Sequence, residues 1–167
     1  MKRLWFASLV VLPLAVHAGS GPDAAFYRHA AQGGISEVEL GNLALKTSAD
    51  PAVKGFAAQM IKDHSQENDK LRSVAASKNL KLPTKASVAE TATKAKLEVL
   101  SGSTFDKSYI KAMVKDHEKD VAEFKTEAAS GHDPDAMAFA SATLPTLQEH
   151  LRKIESIADK SGLTASR

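Results

Sequence analysis

Asp50-Pro51-Ala52-Val53-Lys54-Gly55-Phe56-Ala57-Ala58-Gln59-Met60-Ile61-Lys62-Asp63-His64-Ser65-Gln66-Glu67 is the stretch that decides the fold class. Asp-Pro is a helix start: the aspartate side chain caps free backbone N–H groups, and proline at the first helical position gives up an N–H that has no partner there. At 100° per residue, Val53, Phe56, Ala57, Met60, His64 and Glu67 share one stripe, which Leu71, Val74 and Ala75 continue. The spacing predicts a helix over 51–79, closed by Leu82-Pro83-Thr84. Two polar residues, His64 and Glu67, lie inside its apolar stripe.

Three further long helices follow from the same reading. One covers 23–47, with Phe26, Ala30, Glu37, Leu40, Gly41 and Ala44 on the inner face. Another covers 103–129, with Phe105, Tyr109, Ile110, Met113, Val114, His117, Val121, Phe124 and Ala128 inward and Ser130-Gly131 as its stop. The last begins at Asp133-Pro134 and covers 134–161, with a core line of Leu144, Leu147, Leu151, Ile154 and Ala158 and with His150 on its flank. Pro145 falls inside it and predicts a kink or short break in the preceding turn. A short extra helix is predicted over 88–100, in the connector between the second and third long helices.

Each long helix carries one apolar stripe and is marginal alone in water, so mutual burial is the natural solution. The expected fold is all-α: an antiparallel four-helix bundle whose long connector points to a crossover. An elongated helical hairpin that forms a homodimer would bury the same stripes, and the sequence is compatible with both.

Residues 1–18 read as a signal peptide: Lys2 and Arg3, an apolar run from Leu4 to Leu14, and Val16-His17-Ala18 as a small-residue cleavage site, with cleavage expected after Ala18. The bundle domain is then 19–167. The apolar run is short of the roughly 20 residues that span a bilayer, and no later segment is uniformly apolar, so no transmembrane segment is expected. The expected location is periplasmic or secreted. Without Lys2 and Arg3 the basic count falls from 22 to 20 against 20 acidic residues, which argues against a nucleic-acid partner. The chain has no Cys, so stability rests on packing rather than disulfides.

Polar residues on apolar faces are the informative ones, because a buried carboxylate or imidazole costs several kcal/mol unless paired or bound to metal. Glu37, His64, His117 and His150 all fall near the middle of their helices, and in an antiparallel bundle the middles share one level. Met60-Ile61-Lys62-Asp63-His64 with Glu67 parallels Met113-Val114-Lys115-Asp116-His117 with Asp120. Each pair has the spacing H-x-x-[DE], which puts imidazole and carboxylate on the same face one turn apart. Glu37, His64, Glu67, His117, Asp120 and His150 are therefore the candidate metal ligands. Asp63 and Asp116, at the stripe edge, are candidates to orient a histidine on a neighbouring helix. Imidazole with carboxylate suits iron, manganese, zinc or copper. The same residues could instead form a hydrogen-bonded ladder that fixes helix register and holds no metal.

His29 and His132 read as solvated, and Phe56, Met60, Tyr109, Met113 and Phe124 as core. There is no thiol, no Gly-rich phosphate loop and no nucleophile elbow, so enzymatic activity is uncertain and the balance is against it.

The run Gly34-Ile35-Ser36-Glu37-Val38-Glu39-Leu40-Gly41 and then Phe56-Ala57-Ala58-Gln59-Met60-Ile61-Lys62-Asp63-His64 resembles the bacterial exported family of domain of unknown function 4142. Ser101-Gly102-Ser103-Thr104-Phe105-Asp106-Lys107-Ser108-Tyr109 and Leu144-Pro145-Thr146-Leu147-Gln148-Glu149-His150-Leu151 extend the resemblance over about residues 23 to 160. It implies a ferritin-like fold, members often described as outer membrane proteins, and no established activity. By analogy, di-iron carboxylate bundles carry E-x-x-H on two helices, whereas this chain carries H-x-x-[DE], so a histidine-richer mononuclear site or none is the better expectation. Two functional readings remain: a metal-binding exported bundle, and a non-catalytic envelope stress or partner-binding protein with a structural His/carboxylate network.

Overall fold

The computed structural model describes residues 23–163; the predicted signal peptide lies outside the described residues. The described residues form five helices: α1 (Ala24–Thr47), α2 (Pro51–Ser77), α3 (Val88–Glu98), α4 (Gly102–Ser130) and α5 (Pro134–Lys160). Asp50 caps α2 by accepting from the N–H groups of Ala52 and Val53, and Asp133 caps α5 by accepting from that of Asp135. Ser87 and Glu90 form a reciprocal capping box on α3. α2 stops at Ser77, two residues short of the sequence expectation, because Asn79 turns into the left-handed region at φ 55°.

α1 packs on α2 and α4 packs on α5, while α2 also touches α5 and α1 touches α4. One apolar cluster takes Leu40 and Ala44 from the end of α1, Val53 and Phe56 from the start of α2, Phe105 and Tyr109 from the start of α4, and Ile154 and Ile157 from the end of α5. The other takes Phe26, Leu71, Phe124, Phe139 and Ala140 from the opposite ends. α2 and α4 therefore run the same way, and α1 and α5 run the other way. Every neighbouring pair is antiparallel. The connector with α3 must return the length of the bundle before α4 starts, and a bundle with one such crossover is the ferritin-like arrangement. The four stripes bury one another within a single chain. No described helix is long and apolar enough to cross a membrane.

Two sequence expectations need correction. α5 is helical without interruption across Pro145, so there is no break; the residue is exposed, where a missing hydrogen bond is easiest to bear. His150 is not on the flank of α5 but fully buried, and the core line is Thr143, Leu147, His150, Ile154 and Ile157, with Leu144 and Leu151 only half-buried. A line through Leu144 and Leu151 rotates the stripe away from the histidine, although Leu147, Ile154 and Ala158 of the expected line are buried.

α1 and α2 approach closely. A Cβ at Gly41 would lie 3.0 Å from the Ala57 carbonyl oxygen and 2.8 Å from Ile61, and one at Gly34 would collide with Asn68. Glu37 sits between these two glycines on α1, level with His64 on α2. Close helix contact is what lets a short carboxylate arm reach across.

Candidate metal centre

Between the two apolar clusters lies a polar layer made from all four long helices. Glu37 comes from α1, His64 from α2, His117 from α4 and His150 from α5, and their exposures are 1%, 3%, 0% and 0%. The three imidazole rings pack against one another with centroids 5.3 to 5.9 Å apart. One ring nitrogen from each lies within 4.8 Å of the other two.

Each imidazole has a contact at one of its ring nitrogens. His117 Nδ1 lies 3.0 Å from the Met113 carbonyl oxygen, an acceptor only, so Nδ1 carries the proton and Nε2 keeps its lone pair. His150 Nε2 lies 3.0 Å from the Asp63 carboxylate on α2. Burial pushes Asp63 up, but the hydrogen bonds from His150 and Gln59 with the nearby His150 and Lys62 outweigh it, so Asp63 stays below the ordinary aspartate value. It is an ionised acceptor, and His150 keeps its lone pair on Nδ1. His64 Nδ1 lies 2.9 Å from Glu37 Oε2 and 3.4 Å from Glu67 Oε2, so both acids approach the same ring nitrogen and Nε2 is left without either. His64 Nε2, His117 Nε2 and His150 Nδ1 are all buried without a hydrogen-bond partner among the described residues, as is Glu37 Oε1. Glu37 Oε1 comes within 3.4 Å of His117 Nε2, but without the alignment of a hydrogen bond.

Burial dominates the electrostatics. It pulls His64 and His150 below the ordinary histidine value and His117 down to about 3, so the three rings are neutral. It pushes Glu67 up to about 7, and Glu37 and Asp120 well above the ordinary carboxylate range. Asp116 is raised by burial and then by Glu90.

Of the candidate ligands read from sequence, the structure brings His64, His117 and His150 together as one group. Glu37 touches that group through His64 and His117, and Glu67 through His64 Nδ1. Asp120 is in a different group, with Glu37 and Asp116. Asp63 meets a histidine on another helix, whereas Asp116 forms no ion pair with a histidine among the described residues. The Met113 carbonyl as a partner of His117 escaped the sequence reading, since a backbone acceptor leaves no mark in side-chain spacing. His29 is exposed beside Glu123, and His132 is exposed near Asp23.

A one-crossover four-helix bundle with a His/carboxylate cluster at mid-height defines the class of this protein. The chain belongs to the family described as Domain of unknown function (DUF4142), which it matches over residues 13–157. Its fold is similar to that of a DUF305 protein from Streptomyces coelicolor, at 15% identity and a TM-score of 0.73, covering 87% of this chain and 95% of that one. A DUF305 fragment from Deinococcus radiodurans gives 15% identity and 0.72, with 81% and 94% covered. A conserved hypothetical protein from Mycobacterium tuberculosis gives 15% and 0.66, with 87% and 96% covered. No curated protein matches the chain.

Proposed function

We propose that this is an exported metal-binding bundle that holds one transition-metal ion between His64 Nε2, His117 Nε2 and His150 Nδ1. The observations that carry the proposal are that three buried imidazoles from three different helices each place a ring nitrogen within 4.8 Å of the other two, and that each ring has a buried nitrogen without a hydrogen-bond partner among the described residues. A buried acceptor left unsatisfied costs about 1–3 kcal/mol, and a cation placed among three of them removes that cost three times over. Three imidazoles suit zinc, copper or iron better than manganese, which favours oxygen. The carboxylates of Asp63, Glu37 and Glu67 behind His150 and His64 are the usual outer support of such ligands.

The small cavity beside His64 and Glu37 is about 20 Å³, room for one water-sized molecule. Location outside the cytoplasm follows from the signal peptide reading, and the Streptomyces coelicolor neighbour is described as a secreted protein.

The test is elemental analysis of protein purified without an affinity tag and reconstituted with zinc or copper, beside the His64→Ala/His117→Ala variant. One equivalent in the parent and none in the variant is expected; substoichiometric metal in the parent overturns the reading. A second reading, a structural network in a non-catalytic envelope protein, is favoured by the contacts that tie α1 to α2 and α2 to α5. It expects the same melting temperature with and without chelator, whereas a metal bound only by the folded state raises it.

A further inference from the structure

α1 and α4 meet along a seam that is polar at three successive levels. At the outermost, His29 Nδ1 lies 2.9 Å from Glu123 Oε1, with both side chains partly exposed. One turn further along α1 stands Gly33; beyond its own helix, an added Cβ there would come within 4 Å of Asp120 Oδ2 alone, at 3.9 Å. One more turn inward, Glu37 Oε1 lies 3.4 Å from His117 Nε2, and both side chains are almost wholly buried. His29, Gly33 and Glu37 follow in steps of four on α1, and Glu123, Asp120 and His117 in steps of three on the antiparallel α4, each step about one turn.

A seam between helices ordinarily shuts ions out, because moving a charge past apolar side chains costs several kcal/mol. This one carries imidazole or carboxylate at every level. The cavity of about 20 Å³ lies along it, with walls that run from exposed His29 past Gly33 and Asp120 to buried Glu37 and His64, and it has room for one water-sized molecule. Gly33 contributes no side chain to close it. Toward α2 the corresponding space is filled, since Asn68 occupies the position over Gly34. An ion held by His64, His117 and His150, each 3% exposed or less, needs a passage from solvent.

We propose that the α1–α4 seam is the passage by which a divalent transition-metal ion enters and leaves the imidazole centre, with Gly33 as its opening and Asp120 as the donor midway, a route that rests on the metal-binding reading above. The ion sheds its water in steps rather than at once. It exchanges His29 and Glu123 for Asp120, and Asp120 for Glu37, one oxygen of each lying within 4.8 Å of the other, before the imidazoles take it. Glu37 Oε1, without a hydrogen-bond partner among the described residues, is free to make that last transfer.

Zinc is the probe, mixed with the metal-free full chain in stopped flow with a chromophoric zinc indicator; release is timed by adding excess chelator. Gly33→Leu fills the opening without touching an imidazole, so uptake and release should both slow on the order of tenfold while equilibrium affinity and capacity stay unchanged. Gly33→Ala, whose Cβ fits without displacing anything, should slow both rates by less, and it keeps the test open if the leucine variant does not fold. Ala89→Trp, which obstructs instead the cleft of about 330 Å³ beside α3, should leave the rates unaltered. Unchanged rates in both Gly33 variants, lost affinity in place of lost speed, or slowing by Ala89→Trp alone overturns the route. No zinc uptake by the parent chain defeats the metal-binding reading itself, whereas uptake at rates that Gly33 does not influence defeats the route alone.

Discussion

Glu37 Oε2 meets His64 Nδ1 at 2.9 Å across the α1–α2 interface, and both side chains are almost wholly buried. The contact depends on the close approach at Gly34 and Gly41, and it leaves His64 Nε2 as the ring nitrogen without a hydrogen-bond partner among the described residues. Glu37→Gln keeps an oxygen acceptor but removes a carboxylate from behind the ligand. The expected result is metal affinity about 10–100-fold weaker with the fold intact, measured by competition with a chromophoric chelator.

His117 separates metal binding from stability. Its Nε2 has no hydrogen-bond partner among the described residues, and its ring sits against Phe56, so an apolar side chain of similar size should be more comfortable there when no metal is present. His117→Leu is expected to raise the stability of metal-free protein by about 1 kcal/mol or more while abolishing metal uptake. Denaturant unfolding in chelator and elemental analysis check the two halves.

Glu67 makes a pH prediction whose sign follows from linkage. Burial raises it to about 7 in the folded state, against an ordinary value of 4.5. Between those values the folded protein holds a proton that the unfolded chain has released, so this contribution is present at low pH and lost as pH rises through 7. Glu67→Gln has no such proton to lose. In metal-free protein its melting temperature relative to wild type should rise from pH 5 to pH 8, by on the order of a few °C. His117, pulled down to about 3, acts with the opposite sign: its contribution weakens as pH falls below 6.5.

Two helical glycines, Gly41 buried and Gly55 exposed, should respond oppositely. At Gly41 an added Cβ meets the Ala57 backbone oxygen at 3.0 Å, and backbone does not yield as a flexible side chain does. Gly41→Ala should cost about 1–3 kcal/mol and weaken the Glu37–His64 contact. At Gly55 nothing lies within 4 Å, so Gly55→Ala should gain about 0.5–1 kcal/mol. Chemical denaturation of the pair measures both.

Pro145 is exposed in the middle of α5 and lacks the N–H that would bond one turn back. Proline in a helix interior costs about 3 kcal/mol relative to alanine, part of which the bundle already absorbs. Pro145→Ala should therefore raise the melting temperature, with metal content unchanged.

Much of this fold is legible in the chain because its signals are local. Asp50-Pro51 and Asp133-Pro134 mark helix starts that the structure keeps, and the stripe Val53, Phe56, Ala57, Met60, His64, Glu67 and Leu71 is buried throughout. Periodicity at 100° per residue is a property of one helix, so it survives without knowledge of the partner. His150 was misplaced because α5 has an alternative apolar line through Leu144 and Leu151, and only packing chose between the two.

The sequence by itself determined four amphipathic helices, their approximate ends, and the presence of three histidines and a glutamate near their midpoints. Only the tertiary structure decided how these divide: His64, His117 and His150 into one nitrogen group, and Glu37, Asp116 and Asp120 into an oxygen group beside it. It also decided that Asp63 serves His150 while the equivalent Asp116 turns to other acids. The reason is geometric. Spacing along one helix fixes which side chains share a face, but which atoms meet across helices depends on rotation and offset, and these are set by contacts such as Gly41 on Ala57 that no single helix contains.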